Sequence, residues 1–122
     1  IMLTEKNSAK VNHTVIKTSS GAVNFVRIAP IVNIYKTIEK LKIAGFTVIG
    51  TDQRANENLY SYKFPEKCVI IFGNEGEGMR KNILKLCDVT LKIPIKGKID
   101  SLNVSVSAGV VLFEIMRQSA VY

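Results

Sequence analysis

The sequence predicts an α/β domain with a mainly parallel sheet and helices on both faces. Three observations carry this. Short apolar stretches alternate along the chain with stretches whose apolar residues recur three and four apart, as strands and helices do. One short stretch, Cys68–Phe72, is apolar at every position, as in a strand buried on both faces. Two glycine-bearing loops, Phe72–Met79 and Ile93–Asp100, each stand between such a stretch and a following helical pattern.

In chain order, Ile1–Leu3 is expected to be a short strand and Thr4–Ser8 a polar loop. The sequence opens directly on apolar residues, as the middle of a strand would, so the chain is expected to belong to a longer protein. Asn12–Ser20 is expected to be helical, with Gly21 as the residue that ends it. Ala22–Ile31 alternates in apolar character through Val23, Phe25 and Ile28, and Pro30 places a turn or strand edge near its end. Asn33 can cap a helix running to Ala44, with Ile34, Ile38 and Leu41 as its buried stripe and Gly45 as its stop. Phe46–Gly50 is a short apolar strand. Thr51–Pro65 is polar and turn-rich. After the Cys68–Phe72 strand, a helix is expected over Gly78–Leu86, a strand over Val89–Ile93 and a last helix over Ser101–Arg117. That helix carries Val104, Ala108, Val111, Leu112 and Ile115 at helical spacing, with Val106, Val110 and Phe113 on its other faces. A helix apolar nearly all round is expected to be buried on all sides, inside the domain, against a second subunit, or both.

The totals narrow the class. A length of 122 residues allows one domain with a sizeable core. Apolar content of 47% and a mean hydropathy of +0.16 describe a chain that folds compactly. The longest apolar run, Ala108–Phe113, is far too short to span a bilayer, so no membrane partner is expected. Cys68 and Cys87 are the two cysteines, and each lies in an apolar or strand-like setting. That argues for a reducing, cytoplasmic setting, or an organellar one in a eukaryote, and against a disulfide framework. One histidine and no CxxC argue against a structural metal site. A net charge of +7 favours polyanions such as RNA, though solubility alone also accounts for a charge of that size. The denser basic groups, Arg80-Lys81-Lys85 and Lys92-Lys96-Lys98, flank the two glycine-bearing loops.

The loops carry the chemistry. In such sheets ligands bind beyond the carboxyl ends of the strands, and three loops leave those ends: from Thr51, over Gly73–Gly78, and over Pro94–Asn103. Gly73 and Gly78 have the spacing that opens a P-loop, but Met79-Arg80 stands where Lys-Ser/Thr is required. The dinucleotide pattern fails as well, because Lys81 takes its third glycine position. Glu75 and Glu77 would repel phosphate. The loop suits a neutral or cationic ligand approached closely by backbone, and a tight turn with solvated carboxylates is the alternative. Ile93, Ile95 and Leu102 can wall a flat aromatic ligand such as adenine, or can simply pack in the core. His13 has no neighbours that suggest metal or triad chemistry. Tyr60 and Tyr62 can stack on bases or pack a surface loop.

VIIFGNEGEGM at Val69–Met79 and IPIKGKIDSLNVSVSAG at Ile93–Gly109 resemble motifs 2 and 3 of the SpoU branch of the SPOUT RNA methyltransferases. Their order and spacing resemble the family's too, and the strand-helix order does so over essentially the whole chain. Within the branch the chain is most similar to enzymes that methylate a guanosine ribose of large-subunit ribosomal RNA. The resemblance implies an α/β-knot: a C-terminal segment tucked through a loop as a trefoil knot, an exception to the rule against knotted chains. It implies S-adenosyl-L-methionine held in a bent form by the three loops. Its binding positions fall on Gly73, Ile93 and Leu102, with Thr51 adding backbone contacts. It implies a homodimer with the site near the subunit interface, an RNA substrate (ribosomal ahead of transfer RNA), and methyl transfer to a ribose 2′-hydroxyl without a metal. Glu75, Ser101 and Asn103 are then candidates for orienting the ribose or the loops. As alternatives, Ser101 or Asn103 caps the helix and Glu75 binds backbone N–H groups.

The family's motif 1, with an Asn and the Arg assigned to activating the hydroxyl, would precede the strand at Ile1. Arg27, Arg54 and Arg80 stand in the wrong places for that role. The resemblance therefore implies an N-terminally truncated catalytic domain that lacks the first strand and any separate RNA-recognition domain. The competing reading is an inactive knotted module for RNA binding or assembly. A generic nucleotide-binding domain conflicts with the failed phosphate patterns.

Overall fold

A computed structural model describes residues 1–5, 10–74, 77–98 and 101–119. The chain divides into two compact units, Ile1–Thr37 and Ile38–Tyr122.

In the first unit, β1 (Met2–Thr4) pairs in parallel with β2 (Ala29–Ile31), Met2 opposite Ala29. Part of the expected Thr4–Ser8 loop lies outside the described residues. Between the strands lies α1 (His13–Thr18), whose first turn is capped by Asn12 accepting from the Val15 N–H at 3.1 Å. Ser20 and Gly21 both take left-handed backbone angles, φ 51° and 82°. The helix therefore stops earlier than the sequence suggests. The alternating pattern from Ala22 also does not yield a strand at its start: Ala22–Phe25 forms a 3₁₀ turn. Two successive left-handed residues redirect the chain, and i→i+3 bonds such as Asn24 N–H to Gly21 O then tighten it. Phe25 is left 91% exposed.

Helix α2 (Ile34–Ile43) starts where Asn33 accepts from the Lys36 N–H at 3.1 Å. It ends as expected at Gly45, φ 83°. Phe46 N–H reaches Leu41 O and Gly45 N–H reaches Lys42 O, both at 2.9 Å, which satisfies carbonyls the helix end leaves open. Ile38 is buried, and Ile34 and Leu41 are half-buried beside it.

The second unit holds a four-stranded, all-parallel sheet ordered β4-β6-β3-β5. Its strands are β3 (Thr47–Thr51), β4 (Glu57–Asn58), β5 (Cys68–Ile71) and β6 (Val89–Lys92). Successive residues on a strand face opposite sides, so register sorts the two faces. Ile49, Ile70, Val89 and Leu91 fall on one side, where they pack with Leu59, Ile93 and Val111 in one core cluster. Val48 and Gly50 fall on the other. There Gly50 lies so close to the Cys87 and Met79 sulfurs and to Thr90 that a Cβ would sit 2.9 Å from Cys87 Sγ. The two-residue β4 is missing from the sequence expectation, because a pair of polar residues carries no periodicity. Strand β5 is half-buried at every residue instead of buried on both faces, since it forms the edge of its sheet.

Two helices complete this unit. The first, α3, is only Lys81–Leu84 rather than Gly78–Leu86. Residues before it belong to a closed loop in which Asn74 and Gly78 exchange backbone hydrogen bonds, each 3.0 Å. The second, α4 (Val104–Gln118), meets the expected burial inside the domain along one face only. Val111 and Glu114 are buried, and Val110 and Ile115 pack on the core cluster. Val106, Leu112, Phe113 and Met116 are exposed along one stripe of the helix.

Three carboxylates stitch this unit. Asp88 accepts from the Val48 N–H at 2.8 Å and from Lys42 Nζ at 2.7 Å, tying the end of α2 and the start of β3 to the start of β6. Asp52 accepts two bonds from the Arg54 guanidinium. Glu114 pairs with Arg117 through both oxygens and accepts from Gln118 Nε2. Gln118 in turn donates to Tyr62 O at 2.9 Å and accepts from the Phe64 N–H at 3.0 Å. The end of α4 is thereby clamped to the segment after β4.

Leu91→Ala should cost about 2–5 kcal/mol of stability by urea unfolding, because the side chain is fully enclosed in the cluster. Acid should also unfold the protein in a defined window. The Arg117 guanidinium, then the Gln118 amide, holds the Glu114 carboxyl down at about 2. The Arg54 guanidinium lowers Asp52, and Lys42 lowers Asp88. All three groups favour the folded state when ionised. Their stabilisation is complete above the unfolded-state values of roughly 4 and is lost as pH falls below them, for Glu114 through about 2. Melting temperature should drop through that range, and Glu114→Gln should flatten part of the drop.

Candidate active site at the strand ends

The central strand β3 is paired on both edges, in parallel, with β5 and β6. Three neighbouring strands therefore finish at the same side of the sheet. Adjacent strands lie about 4.8 Å apart, so the outer two ends are roughly 10 Å from each other. Thr51 is the last residue of β3, Gly73 follows the end of β5 by two residues, and Ile93 follows β6 directly. Three of the four positions the sequence assigns to a cofactor thus converge by topology. The fourth, Leu102, packs against the core cluster that contains Ile93.

Each position has a local cause. Thr51 donates its hydroxyl to Ile71 O at 3.2 Å, fastening the end of β3 to the end of β5. Gly73 has no room for a side chain: a Cβ there would lie 2.3 Å from the Gly78 carbonyl carbon and 2.4 Å from Met79 N. The Asn74–Gly78 bridge closes the loop back onto Gly73, and Gly78 takes φ 68° to do so. The glycines serve the loop's own closure first. Ile93 is buried in the core cluster and Leu102 is half-buried against it, so core packing accounts for both positions.

The polar candidates separate. Asn103 is the N-cap of α4, its Oδ1 accepting from the Ser105 N–H at 2.9 Å and from the Ser105 hydroxyl. Ser101 is exposed two residues before it. Glu75 lies outside the described residues, and Glu77 is exposed in the same loop. Burial pushes the thiols of Cys68 and Cys87 up, which keeps both protonated and inert. Among the described residues no group of His, Cys, Asp or Glu could hold a metal ion, and no helix is long and apolar enough to cross a membrane. His13 is exposed on α1. Tyr62 packs edge-on against Phe64, centroids 5.2 Å apart, while Tyr60 is exposed.

Sequence reasoning missed two polar arrangements, one beside the strand ends and one at the far end of α4. Asp52, just past Thr51, donates its backbone N–H to Leu91 O and grips Arg54, and Asp-x-Arg is too short a signal to stand out. The Glu114–Arg117–Gln118 clamp could have been seen, because three polar residues at i, i+3 and i+4 interrupt an apolar helix.

Residues 1–113 match the family model of the SpoU rRNA methylases. The chain belongs to that family. Over 119 residues it is 44% identical to a protein of Borreliella burgdorferi named an uncharacterized tRNA/rRNA methyltransferase, covering 97% of this chain and 52% of the relative. It is 39% identical to the 23S rRNA (guanosine-2′-O-)-methyltransferase RlmB of Ralstonia nicotianae, covering 99% of this chain and 49% of that enzyme. The chain thus spans about half the length of these curated relatives. Its fold is the mainly parallel α/β fold of the SpoU methyltransferases. The structure of AviRb from Streptomyces viridochromogenes, solved with AdoMet, superposes with a TM-score of 0.87 at 20% identity, over 97% of this chain and 49% of AviRb.

Gly73→Ala should destabilise the SpoU chain by about 1–3 kcal/mol in urea unfolding, since a methyl group there meets backbone and not a yielding side chain. Stability unchanged from the parent would show that the loop does not close on Gly73.

Proposed function

We propose that this protein methylates the ribose 2′-hydroxyl of a guanosine in large-subunit ribosomal RNA, with S-adenosyl-L-methionine as donor. The observation that carries the reading is the side-by-side ending of β3, β5 and β6 in a chain of the SpoU family, with Thr51, Gly73 and Ile93 at those ends. The donor set suits such a ligand. Ile93 and Leu102 supply apolar walls for an adenine, the Gly73 loop supplies close backbone, and exposed Glu77 favours a cation over a phosphate. Thr51, Gly73, Ile93 and Leu102 would hold the cofactor, which supplies a methyl group already activated on a sulfonium.

The chain's own task is then positioning. Ser101, at the mouth of α4, is free to meet a ribose hydroxyl, while Asn103 fixes the start of α4 and so the approach of Ser101 and Leu102. Glu75 is the third candidate for orienting the ribose. The net charge of +7 supports RNA as the partner. The 23S rRNA named for the Ralstonia relative supports the ribosomal choice. The Gln118 clamp onto Tyr62 and Phe64 supports a C-terminal segment tucked into the domain as a trefoil knot.

The protein also works as a homodimer, on this reading. Val106, Leu112, Phe113 and Met116 form an apolar stripe on α4 that a second copy would cover.

Incubation with methyl-labelled S-adenosylmethionine and 23S rRNA should label a guanosine ribose at O2′, and absence of labelled ribose would overturn the reading. Ser101→Ala should lower the single-turnover rate about 10²-fold or less if the hydroxyl only assists positioning. Phe113→Asp should turn a dimer into a monomer in sedimentation, and an unchanged mass would refute the second copy at this stripe.

A further inference from the structure

On the unit Ile38–Tyr122, beside the strand ends but separate from them, an open groove of about 420 Å³ lies between the turn after β3 and the short helix α3. None of Thr51, Gly73, Ile93 or Leu102 lines it. Its rim carries Arg54 from the turn and Lys81 and Lys85 from α3, and its floor includes Ala55 and Leu84. Lys81 and Lys85 are four apart, so they project from the same side of the helical turn. Among the described residues neither lysine is in an ion pair.

Arg54 is differently prepared. Asp52 holds its guanidinium through Nε at 3.0 Å and Nη2 at 2.8 Å. Asp52 is itself anchored, with only 10% of its side chain exposed and its N–H bonded to Leu91 O. A guanidinium has five N–H donors, so three remain for another acceptor, on a side chain 72% exposed. The arginine is thus fixed before any ligand arrives, and less freedom is lost when one binds. Three cations face one carboxylate across the groove, leaving it electropositive. A rigid fork opposite two mobile ammonium groups matches adjacent phosphates of a backbone better than a single small anion.

We propose that this groove is a phosphate-docking track for the substrate RNA, with Arg54, Lys81 and Lys85 as positioning residues that bring the target ribose to the strand ends. This rests on the RNA reading above. The contacts are to backbone phosphate, so they set register and not base choice.

The test is Lys81→Glu/Lys85→Glu and, separately, Lys81→Ala/Lys85→Ala in the intact protein. Binding of a 23S rRNA fragment is followed by fluorescence anisotropy from 50 to 300 mM KCl, beside methyl transfer and calorimetry with S-adenosylmethionine. The slope of log affinity against log salt should fall by about 1.4–1.8 for the alanine pair, at roughly 0.7–0.9 per lost phosphate contact. KM for RNA should rise about tenfold or more while cofactor affinity stays within about twofold, and Lys81→Arg/Lys85→Arg should keep the parental slope. Parental slope and KM in both lysine variants would overturn the groove and leave the methylation reading standing. A slope change with no methyl transfer by the parent would overturn methylation and leave the groove. No RNA binding by the parent at 50 mM salt would overturn both.

Discussion

The arrangement depends on one constraint: β3 is hydrogen-bonded in parallel along both of its edges. Parallel pairing forces neighbouring strands to finish at the same end of the sheet. Residues twenty and more positions apart in sequence, Thr51, Gly73 and Ile93, become neighbours without any direct bond between them. Burial enforces the register. Val48, Ile49 and Gly50 are all buried, so a slip of one residue would exchange the faces of the strand and bring side chains up against Cys87 and Met79.

Around that strand the polar groups act as fasteners. Asp88 ties the end of α2 and both β3 and β6 together at the starting end of the sheet, while the Thr51 hydroxyl joins β3 to β5 at the finishing end. Glu114, Arg117 and Gln118 fasten α4 to the segment after β4. Glu114 is buried with a full set of partners, so losing any one of them is costly, whereas Asp88 ties its elements from the surface. The fastened strand ends and the Asn74–Gly78 bridge beside Gly73 lie at one end of the sheet.

A family of methyltransferases needs little more than this from its fold. A sulfonium donor is reactive by its own chemistry, and the protein's share is to hold two partners in line. On the proposed function, backbone, Ile93, Leu102 and the start of α4 would be enough for that task. On the same proposal, the electrostatic demand falls on basic surfaces outside the strand ends, where a polyanion would be gathered.

The sequence by itself determined the α/β class, the helix between its cap at Asn33 and its stop at Gly45, and the loops that carry the family motifs. Those features are written in local periodicity, side-chain capping and the conformational freedom of glycine, all of which act over a few residues. Only the tertiary structure decided that β5 lies at a sheet edge, that Ala22–Phe25 turns instead of extending, and that α4 buries one face and leaves Phe113 bare. An apolar side chain signals that burial is favourable and not what will supply it. Whether Val111 or Phe113 meets the domain's own core depends on how strands distant in sequence stack beneath the helix, and no short window contains that information.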